Sequence, residues 1–385
     1  MEKKTQLYDK HHPFIASIDD RFTLCGSCST KDTQHVILNI KNSGIQYSVG
    51  DSVAVFPVND PALVERTMRA LKADGTELIL DKHSGMTLSL QEFISQKANI
   101  SDIPRKFLIA LAEAETNSEK KNHLEFLLHE ENKQVLREYL LHRELWDLLE
   151  EYPTALLSLT QLGELLQPLL PRFYSIASSP VVFPDQIHLT VAYLQYETNQ
   201  IVRKGVCTHY LCHLAPKGQN VVPIYIQPNH GFTLPVNSEV PIIMIGPGTG
   251  IAPFRAFMQE RMAKGGTGKN WLFFGERTKS GEFFYKDEWD VWMKQGALRL
   301  DTAFSRDQEY KIYVQDMMWQ HGAELFTWLE GGAILYVCGD ANHMAKDVDA
   351  TLHRIVETHG NMDNVAARQY VKKMRQQKRY LRDVY

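Results

Sequence analysis

The pattern of apolar and polar positions near the N-terminus is typical of β-structure. Short runs rich in β-branched residues alternate with Gly, Asn and Ser, which favour turns. These runs cover His35–Ile40, Ile45–Tyr47 and Ser52–Val58. We interpret them as the first strands of an antiparallel barrel.

A helical pattern then interrupts the predicted barrel. Asp60 and Pro61 form a favourable N-cap and first-turn pair for a helix over Ala62–Ala73, and Ser118–Glu151 is rich in charged residues and leucine, with few helix breakers. Residues 60–151 are therefore expected to form an all-α insertion. The strand pattern that completes the barrel returns at Arg172–Ala177, Gln186–Tyr196 and Val221–Gln227.

From Val240 onward, apolar strands alternate with glycine loops and helices. The strands are predicted at Pro241–Ile245, Trp271–Phe274 and Ala333–Val337. This alternation is typical of a doubly wound α/β domain with a parallel sheet. The fold predicted is an antiparallel β-barrel domain (residues 1–59 and 152–235) with an all-α connecting insertion (60–151), followed by an α/β domain (236–385).

Composition and charge narrow the range of functions. The 385 residues contain 44% hydrophobic and 23% charged residues and carry a net charge of -4, so a general attraction to nucleic acid is not expected. The N-terminal residues lack the apolar region of a secretory signal, and no apolar run approaches the roughly 20 residues that span a bilayer. We expect a cytoplasmic protein without membrane association.

The chain contains five cysteines: Cys25, Cys28, Cys207, Cys212 and Cys338. An odd, small number in a chain of this length favours free thiols in a reducing compartment. Cys25 and Cys28 form a C-x-x-C pair, but no second pair with metal-ligand spacing follows, so we predict an incidental pair in a loop and no metal site.

The strongest local motif is Gly246-Pro-Gly-Thr-Gly-Ile-Ala-Pro-Phe-Arg255, between an apolar strand and a helix predicted to be amphipathic. Glycines such as Gly248 let the backbone approach a pyrophosphate, and Pro253 suits a first helical turn. No Gly-Lys-Ser/Thr follows, so the motif is not a P-loop. A purely structural turn is the alternative interpretation.

Ser305 and Arg306, with Lys311, Tyr313 and Gln315 downstream, favour NADPH over NADH. A 2'-phosphate requires guanidinium, ammonium and hydroxyl donors, whereas an NAD site presents an acidic residue to the ribose. The alternative is that these residues form an ordinary solvated surface.

A flavin site is suggested by Arg172-Phe-Tyr-Ser175 on a strand and by Gly205-Val-Cys-Thr208 at the start of a helix. An arginine can neutralise the pyrophosphate of FAD, an aromatic ring can stack on the isoalloxazine, and a hydroxyl can bond near its reactive nitrogen. Taken singly, each motif also fits an ordinary strand or a helix cap.

The motifs RFYSIASS, KGVCTHYL, IGPGTGIAPFRAFMQER, AFSRDQ, KIYVQ, YVCGDANHMAKDV and RYLRDVY occur in the order found in the ferredoxin-NADP reductase superfamily. Within it the chain resembles the diflavin reductases, and most of all their sulfite reductase flavoprotein members, from about Pro13 onward. The resemblance implies that the barrel binds FAD and the α/β domain binds NADP.

The resemblance also implies roles for individual residues. Arg172 would hold the FAD pyrophosphate, Tyr174 would stack on the ring and Ser175 would approach its N5 atom. The other FAD-binding residues would be Phe173, Thr190, Val191, Ala192, Tyr196, Gly205, Val206, Cys207 and Thr208. The NADPH-binding residues would be Gly248, Thr249, Ser305, Arg306, Lys311, Ile312, Tyr313, Val314, Gln315 and Asp347.

Four residues match the family's catalytic positions. Ser175, Cys338 and Asp383 correspond to the hydride-transfer cluster, and Tyr385 corresponds to the aromatic residue that covers the flavin face. The activity implied is an oxidoreductase that takes hydride from NADPH onto FAD and passes electrons to a separate redox protein. For Cys338, a buried thiol at a strand end is the alternative interpretation.

The chain also departs from the family pattern. About thirty residues precede the predicted barrel, fewer than the roughly 100 of a flavodoxin-like FMN domain, so FMN is not expected. The Gly205–Thr208 loop resembles the cytochrome reductase branch more than the sulfite reductase branch. The acceptor therefore stays open between an FMN or flavodoxin-like protein, a ferredoxin and the sulfite reductase haemoprotein. A stand-alone flavodoxin or ferredoxin reductase, and a non-catalytic flavin-binding scaffold, are the alternative functions.

Overall fold

The computed structural model describes residues 7–385; the first residues of the predicted barrel segment, 1–6, lie outside this range. The described chain divides into two compact units. The first contains the residues up to Ala54, Phe173–Tyr193 and Pro216–Tyr385, and the second contains Val55–Arg172 and Leu194–Ala215. The domain boundaries predicted from sequence differ from these limits and stay predictions.

The strands, in chain order, are β1 (Phe14–Thr23), β2 (Thr33–Asn39), β3 (Ser52–Val55), β4 (Leu78–Asp81), β5 (Met86–Ser89), β6 (Ala98–Asn99), β7 (Gln167–Pro168), β8 (Arg172–Ser175), β9 (Gln186–Ala192), β10 (Gln195–Thr198), β11 (Ile201–Lys204), β12 (Asn220–Gln227), β13 (Ile242–Ile245), β14 (Asn270–Glu276), β15 (Arg299–Phe304), β16 (Ile334–Gly339) and β17 (Tyr380–Val384).

The α-helices are α1 (Pro61–Leu71), α2 (Leu90–Gln96), α3 (Arg105–Ala114), α4 (Ser118–Leu128), α5 (Lys133–Leu141), α6 (Leu145–Glu151), α7 (Leu159–Leu165), α8 (Val206–His209), α9 (Ala252–Ala263), α10 (Lys279–Glu282), α11 (Lys286–Lys294), α12 (Val314–Gln320), α13 (Gly322–Glu330), α14 (Met344–His359) and α15 (Asn364–Gln376). Short 3-10 turns occupy Glu130–Asn132 and Gly248–Ile251, and a π-helical turn occupies Tyr210–Leu214. No α-helix in residues 7–385 is long and apolar enough to cross a membrane.

The first unit contains an antiparallel sheet in the order β8-β3-β12-β1-β2-β9. β1 pairs with β12 and with β2, and β2 pairs with β9, all antiparallel. Fully buried side chains at Ala16, Ile18, Val36 and Leu38 belong to its core. The antiparallel sheet predicted from the alternating pattern is therefore confirmed.

The same unit contains a parallel sheet in the order β15-β14-β13-β16-β17. Both faces are covered: Ile243 and Ile245 pack among residues of α12 to α15, whereas Ile242 and Met244 pack among residues of α9 and α11. Strands buried on both faces need continuous apolar runs, which explains the sequence of β13. The predicted doubly wound α/β domain is confirmed.

The second unit is mainly helical. Asp60 caps α1 by accepting a hydrogen bond from the amide of Ala62 (3.0 Å), with Pro61 at the first position, as predicted. The predicted continuous stretch 118–151 is divided into α4, α5 and α6, because the backbone is extended at His129 (φ -62, ψ 142) and at Glu144 (φ -111, ψ 176). Residues 60–151 also contain the β4–β5 hairpin and β6, which pairs with β7 beyond the predicted end of the insertion; the expected all-α composition did not include these strands.

Other elements differ from the sequence prediction. Ile45–Tyr47 is not in a sheet. β1, β15 and β17 were not anticipated, because polar residues dominate much of each strand. Helix α9 is not amphipathic: nearly every residue from Ala252 to Arg261 is buried, including charged and amide side chains.

Candidate functional site

The segments that follow the carboxyl ends of β13, β15 and β16 carry the predicted NADPH-binding residues. In a doubly wound sheet, loops at this edge form the usual crevice for a nucleotide. Cys338 of β16 pairs with Asp383 of β17, and Glu276 of β14 pairs with Phe304 of β15. The register thus aligns the predicted catalytic and phosphate-binding segments along one edge of the sheet.

The glycine loop after β13 turns tightly against β16. A Cβ atom on Gly250 would lie 2.1 Å from the carbonyl oxygen of Cys338, and one on Gly246 would lie 2.5 Å from the carbonyl oxygen of Gly250. Gly248 has φ +59°, a conformation that side-chain-bearing residues rarely adopt. The loop runs directly into α9, so its chemistry fits a dinucleotide pyrophosphate at a helix N-terminus.

The loop after β15 presents the predicted 2'-phosphate receptors. The amides of Ser305 and Arg306 donate to the carbonyl oxygens of Glu276 (2.9 Å) and Arg277 (2.8 Å), which fix the loop backbone. The side chains of Arg306 and Lys311 are exposed. Donors held on a fixed backbone and open to solvent fit an incoming phosphate.

The remaining predicted residues of this segment have different environments. Tyr313 is 44% exposed at the N-cap of α12. The side-chain amide of Gln315 donates from Nε2 to the carboxylate of Asp347 (3.4 Å). The side chains of Val314 and Ile312 pack in or against the core, so they support the loop and do not face a ligand as donors.

Ser175, Cys338 and Asp383, which lie far apart in the sequence, are brought together. The hydroxyl of Ser175 donates to Oδ2 of Asp383 (2.8 Å), and Sγ of Cys338 lies 3.9 Å from the same oxygen. Burial, followed by the nearby Asp383 carboxylate, raises the pKa of the Cys338 thiol. Burial also raises the pKa of Asp383, although hydrogen bonds from Ser175 and Cys338 partly oppose this shift.

Tyr385 lies beside this cluster. Its amide donates to the carbonyl oxygen of Gly339 (3.1 Å), and its own carbonyl accepts from the amide of Ala341 (3.0 Å). Its hydroxyl is 2.8 Å from Oγ1 of Thr249, and the side chain is 61% exposed. The backbone of Tyr385 is thus anchored while its ring stays accessible.

The predicted FAD-binding residues of the first unit lie on β8 and β9. Phe173 is 54% exposed, and Tyr174 and Ser175 are half-buried. The hydroxyl of Thr190 is instead within 2.6 Å of the hydroxyl of the partly buried Tyr285. At this position the side chain therefore supports the interior. Val191 is fully buried, and Ala192 is exposed.

The other predicted FAD-binding residues belong to the second unit. Arg172 is exposed, and Tyr196 is 47% exposed on β10. A Cβ on Gly205 would lie 2.7 Å from Oγ1 of Thr208, so a larger residue does not fit there. The Thr208 hydroxyl donates to the carbonyl oxygen of Gly205 (3.1 Å) and accepts from the amide of Leu194 (3.2 Å). These bonds fix the start of α8, whose first residues are Val206 and the buried Cys207.

Sequence reasoning missed several residues near the site. Asn229 donates to Oδ1 of Asp383 (3.4 Å), and Lys31 forms an ion pair with the nearly buried Glu276 (2.6 Å). A single asparagine or lysine in a loop carries no distinguishing pattern. The contacts exist only because the fold brings distant segments together.

All five cysteines are free, and Cys25 and Cys28 lie in the loop between β1 and β2, as predicted for them. In the part of the chain that the structure describes, no group of His, Cys, Asp or Glu side chains is arranged to hold a metal ion.

Comparisons with known proteins identify both parts of the chain. The family described as "FAD binding domain" matches residues 7–210, and the family "Oxidoreductase NAD-binding domain" matches residues 244–350. Together with the paired sheets, these matches define a flavoprotein oxidoreductase with separate FAD-binding and NAD(P)-binding regions. The chain belongs to the ferredoxin-NADP reductase superfamily, in its diflavin reductase branch, which confirms the resemblance seen in its motifs.

Individual relatives are similar over most of the chain. Proteins named "Sulfite reductase [NADPH] flavoprotein alpha-component" are 42% identical over 379 residues in Bacillus subtilis (strain 168) and 40% identical over 381 residues in Cronobacter sakazakii (strain ATCC BAA-894). Each alignment covers 98% of this chain but 62% of the relative. The chain thus spans less than two thirds of the length of the curated relatives it matches.

Proposed function

We propose that this chain is an NADPH-dependent flavoprotein reductase that takes hydride from NADPH onto FAD and passes electrons to a separate redox protein. The observation that carries the proposal is the cluster in which Ser175 donates to Asp383 (2.8 Å) beside the buried Cys338. Bound FAD supplies the redox chemistry, because it takes up a hydride and can release electrons singly.

Cofactor binding is divided among residues of suitable chemistry. Arg172 neutralises pyrophosphate charge, Tyr174 offers a ring for stacking, and the Gly205–Thr208 loop supports the FAD pocket. Ser305, Arg306 and Lys311 bind the 2'-phosphate of NADPH. The glycine loop, with Thr249, holds the pyrophosphate close to the start of α9.

The cluster at the ends of β8, β16 and β17 orients the reacting nicotinamide. The raised pKa of Cys338 keeps its thiol protonated, so it offers an uncharged surface and no thiolate nucleophile. The Asp383 carboxyl, aligned by Ser175, would offer a polar partner to a bound nicotinamide and help to orient it. The ring of Tyr385 would cover this region when the nicotinamide is absent.

The acceptor we propose is a redox component of a sulfite-reducing system. The support for it is the names of the relatives, which describe a flavoprotein component of an NADPH-dependent sulfite reductase. The sulfite reductase haemoprotein, an FMN or flavodoxin-like protein and a ferredoxin are the partners to compare. A cytoplasmic location stays a prediction.

Anaerobic stopped-flow mixing tests the proposal. The chain reconstituted with FAD is mixed with NADPH, and the flavin absorbance is followed; rapid bleaching is expected, with a large loss of rate for Ser175→Ala. The reduced protein is then mixed with each candidate acceptor, and the haemoprotein supplied with a flavodoxin-like carrier should be reduced faster than ferredoxin. A flavin that NADPH does not bleach would instead indicate a binding scaffold.

A further inference from the structure

Helix α9, which follows the glycine loop, buries polar side chains that a helix on a sheet normally exposes. Arg255, Gln259 and Arg261 are 6%, 7% and 3% exposed. Burying charged and amide groups is costly unless they are paired, so their partners indicate what the helix is built to hold.

Two residues of α9 bond the segment that follows β8, and a third adds a side-chain contact. Nη1 of Arg255 donates to the carbonyl oxygen of Ala177 (2.7 Å), and Oε1 of Gln259 accepts from the amide of Ser179 (3.0 Å). The Glu260 carboxylate accepts from the hydroxyl of Ser179. Residues four apart lie on the same side of a helix, so Arg255 and Gln259 contact the segment after β8 from one face of α9.

Arg255 is itself held from several directions. Its guanidinium is paired with Glu288 of α11, through Nε (2.9 Å) and Nη2 (2.8 Å), and lies 4.8 Å from the centre of the Tyr285 ring. Nη1 is also 3.2 Å from Nδ1 of His188 on β9. The planar fork of an arginine can make all of these contacts at once, which a lysine cannot.

The contact with His188 determines which atoms donate and which accept in a chain of interior hydrogen bonds. A guanidinium can only donate, so Nδ1 of His188 carries no proton, and its one lone pair is shared between Nη1 of Arg255 and Nε2 of His35 (3.1 Å). Nδ1 of His35 must then accept from the Tyr285 hydroxyl (3.0 Å), which leaves the Thr190 hydroxyl to donate to Tyr285 (2.6 Å). Each donor and acceptor has one consistent role, so the network has a single arrangement.

The contacts of Arg255 connect the two segments that the proposed reaction uses, one on the flavin side and one on the nicotinamide side. Ala177 lies two residues after Ser175, on the segment that continues from β8 and its Tyr174. Arg255 lies in the first turn of α9, four residues after Ile251, where the glycine-loop turn ends. The Arg255 bond to Ala177 therefore joins the flavin-binding strand directly to the helix of the nicotinamide-binding loop.

We propose that Arg255 is a positioning residue that holds β8 in register with the glycine loop, so that flavin and nicotinamide meet at the separation that hydride transfer requires. The inference rests on the proposed function. Arg255 affects the rate of flavin reduction through the position of β8, without contacting either cofactor.

The test compares Arg255→Lys with Arg261→Lys. Arg261 lies on the same helix and is equally buried, but its guanidinium donates to the carbonyl oxygens of Ser238 (2.9 Å) and Val240 (3.1 Å), away from β8. Both changes keep a positive charge at a buried position of α9, but only Arg255→Lys removes the contacts with the segment after β8. Bound FAD, thermal unfolding and affinity for 2',5'-ADP are measured for each variant.

Arg255→Lys should slow flavin reduction by NADPH about 10- to 100-fold, because small displacements of reacting atoms cost rates of this order. Its affinity for 2',5'-ADP should stay at the parent value, and amide hydrogen exchange should accelerate in the peptide containing Ala177–Ser179. Arg261→Lys should show neither the rate loss nor the local exchange.

Equal rate losses in the two variants, or a rate for Arg255→Lys equal to the parent's, would overturn the inference. If Arg255→Lys does not retain FAD, then Glu288→Gln, which loosens the guanidinium without removing it, carries the same test with the same two readouts. A parent protein that NADPH does not reduce would refute the proposed function, and the exchange comparison would still decide whether Arg255 holds the segment after β8.

Discussion

Single side chains in this protein obtain their chemical environment from segments distant in sequence. Asp383 receives Ser175 from the antiparallel sheet, Asn229 from the loop after β12, and Cys338 from its neighbouring strand. No spacing rule links these positions, and only the family resemblance predicted that Ser175, Cys338 and Asp383 belong together. Asn229 had no such signal and was missed.

Arg306 should determine much of the preference for NADPH over NADH. Its side chain is exposed on a loop whose backbone is fixed, so Arg306→Ala removes a charge-assisted contact that only the phosphorylated cofactor makes. A loss of about 1.5 to 3 kcal/mol corresponds to a roughly ten- to hundred-fold weaker NADPH affinity, with little change for NADH. Titrations of both cofactors measure the effect.

The control for Arg306→Ala is Arg368→Ala, which removes another exposed arginine, on α15. Equal weakening of NADPH and NADH by Arg306→Ala would mean that the arginine supports the fold and does not select the phosphate.

Tyr385 should limit access of the nicotinamide to the flavin. If its accessible ring and the nicotinamide compete for one stacking surface, Tyr385→Ser should strengthen nicotinamide docking by the value of an aromatic stack, about 0.5 to 1.5 kcal/mol. NADH, which lacks the 2'-phosphate anchor, should gain more than NADPH. Flavin reduction rates with both cofactors measure the effect.

Tyr385→Phe separates the ring from its hydroxyl, which bonds Thr249 (2.8 Å). It should behave like the parent if the ring is responsible. Cofactor preference unchanged in Tyr385→Ser, with FAD retained, would place the ring away from the flavin.

At the level of elements, the sequence predicted strands well wherever apolar residues alternate or run continuously. β2, β12 and β13 were found within a few residues for this reason. β1 was missed because Asp19, Asp20 and Arg21 interrupt its pattern, and the pairing register shifts there. Helix α9 was predicted to be amphipathic because its polar residues look solvated in sequence, whereas the fold pairs them internally.

The histidine pair beneath α9 should make folding sensitive to acid. Burial, followed by the charge of Arg255, lowers the pKa of His188 to about 3 and that of His35 to about 2. In the unfolded chain both titrate near 6.5, so the unfolded state binds more protons between these limits. The contribution of the two neutral histidines to the free energy of unfolding is therefore fully present above about pH 6.5, and it decreases as the pH falls below that value.

His188→Gln removes one of these titrating groups and leaves an amide that can still accept from Arg255. Each buried neutral histidine contributes a slope of up to about 1.4 kcal/mol per pH unit. Between pH 6 and pH 5 the free energy of unfolding of the parent should therefore fall about 1 kcal/mol more than that of His188→Gln. Urea unfolding across this range measures the difference, and parallel pH curves would contradict the argument.

Across the whole molecule, the order of sheet, helical insertion and parallel sheet was predictable because each has its own periodicity. The limits of the compact units were not. The antiparallel sheet and the parallel sheet share one unit, and Leu194–Ala215 belongs with the helical residues. Pairing between distant segments, such as the ion pairs of Arg203 with Glu144 (2.9 Å) and Asp147 (2.8 Å), determines this division and leaves no local signal in the sequence.

Flavin content is the prediction that concerns the molecule as a whole. The chain matches an FAD-binding family over residues 7–210 and an NAD-binding family over residues 244–350. We expect the 385-residue polypeptide to bind one FAD and no FMN. Acid release followed by chromatography identifies and counts the flavin, and reconstitution with each flavin separately controls for loss during purification.

Because a chain without FMN needs a second protein to complete one-electron delivery, the same preparation should reduce a haem acceptor slowly alone and faster when a flavodoxin-like protein is added. Stoichiometric FMN, or full haem reduction without a carrier, would require a different electron path.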